Sequence, residues 1–158
     1  MKFRVLFLCA NNGVQSPMAE ALLNGLVSKN FEALSAGIDC GQVHPLTVEV
    51  MKEIGIDLEG KITKTTQDLI DRRFDFVITL CERARLECAT FHEAERVHWQ
   101  FEDPLAPLDH TKRKRAFQSL RDQVAQRVRL FALVQVRFGR IGIRAHHNSS
   151  RPSDLVHS

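Results

Sequence analysis

The sequence predicts an α/β protein: a single doubly wound domain with a four-stranded parallel sheet and helices on both faces. Three observations carry this expectation. Apolar runs of strand length, too continuous to leave one face wet, alternate with segments of helical spacing. Ser-Pro, Pro and Gly stand at the borders of those segments, where helices start and stop. Two of the strand-like runs end on a cysteine, Cys9 and Cys81. Alternation of this kind implies right-handed crossovers between parallel strands. Reactive groups in such sheets gather beyond the carboxyl ends of the strands, so Cys9 and Cys81 are expected on one face.

Residues 3–8 form the first strand. Ser16-Pro17 then opens a helix over 17–29, with Ser16 as N-cap and Pro17 at the first helical position. Met18, Ala21, Leu22, Gly25 and Leu26 give its apolar spacing. Residues 31–35 form a short second strand ended by Ala36-Gly37. Pro45 begins a second helix with Leu46, Val50, Met51 and Ile54 on one face, stopped by Gly55. Residues 56–65 read as loop and 67–71 as a short helix. Residues 74–80 and 93–99 supply the third and fourth strands. A proline-rich loop follows over 101–110, and Thr111 is expected to cap a long helix running to about Phe138. The domain thus occupies 1–139. Residues 140–158, with His146-His147 among polar residues, lack periodicity and read as a flexible tail, and the His pair reads as an ordinary polar pair rather than a metal site.

Composition narrows the function. A chain of 158 residues is long enough for one well-filled core. No stretch is apolar enough to span a membrane, and the N-terminus enters a strand at once rather than a signal peptide. Four cysteines without a secretion signal point to a reducing, cytoplasmic setting and to thiol chemistry. The net charge of +3 is modest. The run Lys112-Arg113-Lys114-Arg115 reads as a solvated helix face, so neither nucleic acid nor membrane is an expected partner. A monomer is the expected working unit.

Between Cys9 and the helix lies Ala10-Asn11-Asn12-Gly13-Val14-Gln15-Ser16. A loop this short must fold over the helix N-terminus, gathering backbone N–H groups and the positive dipole end around the Cys9 sulfur. Such a cradle binds a tetrahedral oxyanion and favours the thiolate. Cys9, Asn12, Ser16, Pro17 and Met18-Ala19-Glu20 resemble the phosphate loop of the low-molecular-weight tyrosine phosphatase superfamily: Cys, five residues, Arg, Ser. Gln15 stands where that family has its arginine. A neutral amide lacks the charged, bidentate grip of a guanidinium.

Cys81 and Cys88 enclose six residues. If these are helical the sulfurs lie almost two turns apart, too far for a bridge without local unwinding. A relay from a Cys9–Cys81 disulfide to Cys88 is chemically sensible; two ordinary half-buried thiols are the alternative. A narrower resemblance bears on this. Ser35-Ala36-Gly37, Gly55-Ile56-Asp57, Thr79-Leu80-Cys81 with Cys88, His98-Trp99, Asp103-Pro104, Phe117-Gln118 and Arg121-Asp122 are similar to the thioredoxin-coupled arsenate reductases of that superfamily, over about residues 3–131.

That resemblance implies a set of roles. Cys9 attacks arsenic, Asp103 protonates the leaving oxygen, Cys81 displaces arsenite, and Cys88 resolves the bridge for thioredoxin to reduce. Ser16 donates to the Cys9 thiolate, and no tightly bound cofactor is needed. Some family members hold a monovalent cation beneath the loop. Asn12, Glu20 and Ser35 match its ligands, but Lys64 replaces the acidic fourth, which implies an ammonium paired with Glu20 and no bound potassium. Asp103 also reads as a plain turn cap before Pro104, and Cys40, outside the family's set, as a passive thiol. Two other functions remain open. A phosphatase forming a phosphocysteine shares Cys9 and Asp103 but needs neither Cys81 nor Cys88. It would place tyrosines after the Asp-Pro, where this chain has Leu105-Ala106-Pro107. The other is an oxyanion-binding or redox module in which Gln15 marks lost catalysis.

Overall fold

The computed structural model describes residues 2–26 and 28–139; the expected tail over 140–158 lies outside them. Four strands, β1 (Phe3–Cys9), β2 (Phe31–Gly37), β3 (Phe76–Thr79) and β4 (Glu95–His98), form one parallel sheet in the order β2-β1-β3-β4. β1 is central because its residues bury both faces: Val5, Leu6, Phe7 and Leu8 are all fully buried. The period of two sends Val5, Phe7 and Cys9 to one side, and Leu6 and Leu8 to the other.

The first side is the main core. It is covered by α1 (Gln15–Leu26) and by α4 (His110–Val134), against which α2 (Pro45–Lys52) packs. Phe117, Leu120, Val124 and Val128 of α4 supply a buried stripe at helical spacing. Trp99 lies in the same core, its ring 5.9 Å from both Phe7 and Phe131. The second side has thinner cover: α3 (Glu82–Glu87) and the 3₁₀ turns Thr66–Leu69 and Ala89–Phe91 close it with Leu69, Ala84, Cys88 and Phe91.

Several expectations are corrected. α1 begins at Gln15, so Ser16 is its second residue and not its N-cap. The Ser16 hydroxyl is instead engaged with Cys9 and Asn12. The buried face of α1 includes Pro17, Met18, Ala19, Glu20, Leu22 and Leu23, whereas Gly25 and Leu26 are exposed in its last turn. Asp109 rather than Thr111 caps α4; its Oδ2 accepts the Lys112 N–H at 3.0 Å. α4 ends at Val134, followed by a π turn over Gln135–Gly139. Ile54 is exposed, α2 having stopped at Lys52 before the left-handed Gly55 (φ 83°).

Gly37, the last residue of β2, lies under the cysteine loop. A Cβ there would come within 2.6 Å of the Asn11 carbonyl carbon and the Asn12 nitrogen. Both are backbone atoms and cannot swing aside. Gly37→Ala is therefore expected to destabilise the fold by about 1–3 kcal/mol and to displace the loop. Urea unfolding together with oxyanion affinity checks this, and an unchanged affinity would show that the loop does not need this close approach.

Candidate functional site

β1 ends at Cys9, and the chain turns over its own carboxyl end into α1. The loop is held by its carbonyls. Those of Cys9 and Ala10 accept the N–H groups of Ile38 and Asp39 at 3.1 and 2.9 Å. The Gly13 carbonyl accepts the His44 N–H at 2.9 Å and the Thr47 hydroxyl at 3.0 Å. With the carbonyls turned outward, the opening amides of α1 have no partner within the helix, which leaves the helix dipole facing the loop. Asn12 takes φ 60°, a left-handed conformation that asparagine tolerates better than most residues. Its amide fixes that conformation: Nδ2 donates to Ser16 Oγ and Ser35 Oγ at 2.9 Å each, and Oδ1 accepts the Lys64 N–H at 2.9 Å.

The loop forms one wall of a cleft of about 810 Å³ at the carboxyl ends of the strands. Ala10, Asn11, Gly13, Val14 and Gln15 of the loop line it together with Cys81 and Asp103. Asn12 and Ser16 are buried behind the loop, and Cys9 lies at its base, 1% exposed, with Sγ 2.8 Å from Ser16 Oγ. The two strand-end cysteines thus converge as the sheet topology requires. Burial pushes the Cys81 thiol up, the Ala84 amide (3.4 Å) pulls it partly back, and the neighbouring Cys9 charge pushes it up further. The Arg83 and Ala10 amides also pull Cys81 down, which places its sulfur against the cysteine loop.

Cys81 is the N-cap of α3, and Cys88 follows its last residue. Seven residues at about 1.5 Å each separate their Cα atoms by about 10 Å, beyond disulfide reach while α3 is wound. Cys88 is buried on the second side of the sheet, its thiol donating to the Arg85 carbonyl at 3.4 Å. All four cysteines are free, and Cys40 is exposed. Asp103 is exposed at the cleft, and its Oδ1 accepts the Leu105 N–H at 3.0 Å, so it caps its own turn as well as facing the site.

One pairing differs from expectation. The ammonium that meets Glu20 belongs to Lys61, with Nζ 2.6 Å from Oε1, and not to Lys64, which contributes its backbone N–H to Asn12. The basic run is likewise more than a solvated face. Arg113 donates to the Pro107 and Leu105 carbonyls, pinning the Asp-Pro loop, and Lys114 pairs with Glu49. Gln118 and Arg121 bind Glu53, tying α4 to α2.

Sequence reasoning missed His44. Its ring stacks on Phe117 at 4.9 Å, lines the cleft, and accepts the Leu46 N–H on Nδ1 at 3.0 Å as the cap of α2. The residue before a proline at a helix start was the available signal. Burial, then the Arg113 charge, hold His44 below the usual histidine value. The unfolded chain therefore binds the proton first on acidification. The stabilisation is complete above about pH 6.5 and is lost as the pH falls below it. The urea midpoint is expected to drop between about pH 8 and pH 5.5, and less so in His44→Asn, which caps without titrating. Equal slopes would assign the pH dependence elsewhere.

The cleft's charged side chains are Glu82, Glu102 and Asp103; among the described residues no Lys or Arg lines it. No described helix is long and apolar enough to cross a membrane. Residues 4–137 match the family described as low molecular weight phosphotyrosine protein phosphatase. An arsenate reductase of Halalkalibacterium halodurans is 37% identical over 130 residues, covering 81% of this chain and 94% of that one. A solved arsenate reductase in the phosphate binding state superimposes with TM-score 0.71 at 29% identity, covering 83% and 96% of the two chains. A thioredoxin-dependent arsenate reductase of Corynebacterium glutamicum gives TM-score 0.65 at 27% identity, over 85% of this chain and 63% of that one.

Proposed function

Since the chain belongs to the low molecular weight phosphotyrosine protein phosphatase family, we propose that it is an arsenate reductase running a Cys9–Cys81–Cys88 relay. The observation that carries this reading is Cys81 lining the same cleft as the cysteine loop, with Cys88 one short helix away. A phosphatase of this family has no use for either thiol.

The Cys9 thiolate attacks arsenic of an oxyanion held on the amides of Ala10, Asn11, Asn12, Gly13, Val14, Gln15 and Ser16, and water leaves with a proton from Asp103. While Cys9 is charged, Cys81 stays a thiol. Once the Cys9 sulfur is bonded to arsenic its charge is gone, and one of the causes raising Cys81 goes with it. Cys81 then loses its proton and attacks the Cys9 sulfur. The S–S bond forms, the S–As electron pair stays on arsenic, and arsenite departs reduced by two electrons. Cys88 attacks Cys81, freeing Cys9 as a thiolate, and α3 unwinds to bring the two sulfurs within bonding distance. Unwinding also draws the Cys81–Cys88 bridge out of the second core, where a dithiol protein of the thioredoxin type reduces it.

The test pairs arsenate-dependent oxidation of NADPH, in the presence of thioredoxin and its reductase, with hydrolysis of an aryl phosphate. Arsenate turnover supports the relay. Aryl phosphate hydrolysis alone would assign a phosphatase, and neither activity would leave an oxyanion-binding module.

A further inference from the structure

We propose that Lys61 is a positioning residue for the Cys9 nucleophile, acting through the buried chain Glu20–Ser35–Asn12–Ser16. The inference rests on Cys9 being the nucleophile and not on which oxyanion it attacks.

The hydrogen bonds run without a break. Lys61 Nζ donates to Glu20 Oε1 at 2.6 Å, and Ser35 Oγ donates to Glu20 Oε2 at 2.7 Å. Asn12 Nδ2 donates to Ser35 Oγ and to Ser16 Oγ at 2.9 Å each, and Ser16 Oγ lies 2.8 Å from Cys9 Sγ. Glu20, Ser35, Asn12, Ser16 and Cys9 are all buried, and only Lys61 reaches water, its side chain 22% exposed.

Counting hydrogens gives the chain a direction. A buried carboxylate stays ionised only beside a cation, and Lys61 is that cation. The ionised Glu20 takes the one hydroxyl hydrogen of Ser35, so Ser35 can only accept from Asn12. The Asn12 oxygen is held by the Lys64 N–H, which fixes the amide with both of its hydrogens toward the two serines. Ser16 accepts one of these, and its own hydrogen is left for Cys9. A hydroxyl that must donate selects the thiolate as its partner. Without Lys61 no cation faces the buried carboxyl of Glu20, the Ser35 hydroxyl loses its anchored acceptor, and the order of donors dissolves.

The other titratable groups around Cys9 face it from the cleft: Cys81 at the start of α3, Glu82, Glu102, Asp103 and His44. Cys81 feels the Cys9 charge, but no hydrogen bond joins any of the five to Glu20, Ser35, Asn12 or Ser16, so a change at Lys61 reaches Cys9 through the network.

The experiment measures carboxamidomethylation of Cys9 by iodoacetamide as a function of pH, with the Cys9 peptide resolved from those of Cys40, Cys81 and Cys88 by mass spectrometry. In Lys61→Ala the profile is expected to move to higher pH, with the rate at neutral pH about tenfold lower, as expected when a charge-assisted bond to a thiolate weakens. Lys61→Arg keeps the cation and is expected to keep the wild-type profile. Ammonium chloride is expected to raise the Lys61→Ala rate above that in sodium chloride of equal ionic strength. A wild-type pH profile in Lys61→Ala overturns the proposal. Should Lys61→Ala fail to fold, Lys61→Gln preserves a donor without the charge, and a wild-type profile there overturns it equally. No oxyanion enters this assay, so its outcome and that of the arsenate test are independent.

Discussion

Cys88→Ser is expected to abolish sustained arsenate reduction while sparing the first event. Cys81 lines the cleft beside the cysteine loop and lies close enough to feel the Cys9 charge, so attack on arsenic and closure of the first disulfide need only those two thiols. One equivalent of arsenite per protein should therefore appear as a burst, after which the variant stops as a Cys9–Cys81 disulfide. Rapid quench sampling of arsenite, with mass spectrometry of the trapped protein, measures both halves of the prediction. The physical basis is α3. It keeps Cys88 on the second side of the sheet, about 10 Å from Cys81 between Cα atoms by helical rise, and only its unwinding joins the two. Steady thioredoxin-coupled turnover without Cys88 would remove the relay. The same substitution is expected to leave aryl phosphate hydrolysis, if there is any, untouched.

Gln15→Arg is expected to raise kcat/KM for the oxyanion by about 10²–10³-fold, the usual weight of one well-placed oxyanion donor. The cleft makes the case for so large a gain. Its charged side chains among the described residues are the three carboxylates of Glu82, Glu102 and Asp103, and a dianion entering it meets attraction only from backbone amides and the α1 dipole. Gln15 lines the cleft, half-buried at the first position of α1, where a guanidinium could fork onto two oxygens. Much of the gain should disappear in high salt only if the new charge acts at long range; a bidentate contact in the cleft persists. Steady-state kinetics of arsenate reduction in both proteins decides the matter. No gain, with unchanged oxyanion affinity, would mean that the loop's amides already saturate the anion and that Gln15 is not the limiting residue.

Much of this architecture could be read along the chain because it rests on short-range rules. Unbroken apolar runs specify central parallel strands, Pro45 and Gly55 bracket α2, and a cysteine at the end of a strand lies at the active edge of any such sheet. The six residues between Cys81 and Cys88 left a helix there as a condition, and the structure supplies it as α3, and with it the need to unwind. The sequence by itself thus determined the fold, the cysteine loop and the three thiols in register. What the tertiary structure alone decided are the partners that meet across long separations: Lys61 rather than Lys64 on Glu20, Arg113 on the Asp-Pro loop, His44 at the cleft, and Ser16 drawn from capping into contact with Cys9. Periodicity and capping act within a few residues, whereas a buried carboxylate chooses among cations by where the folded backbone carries them, and that path is settled only when the whole core closes.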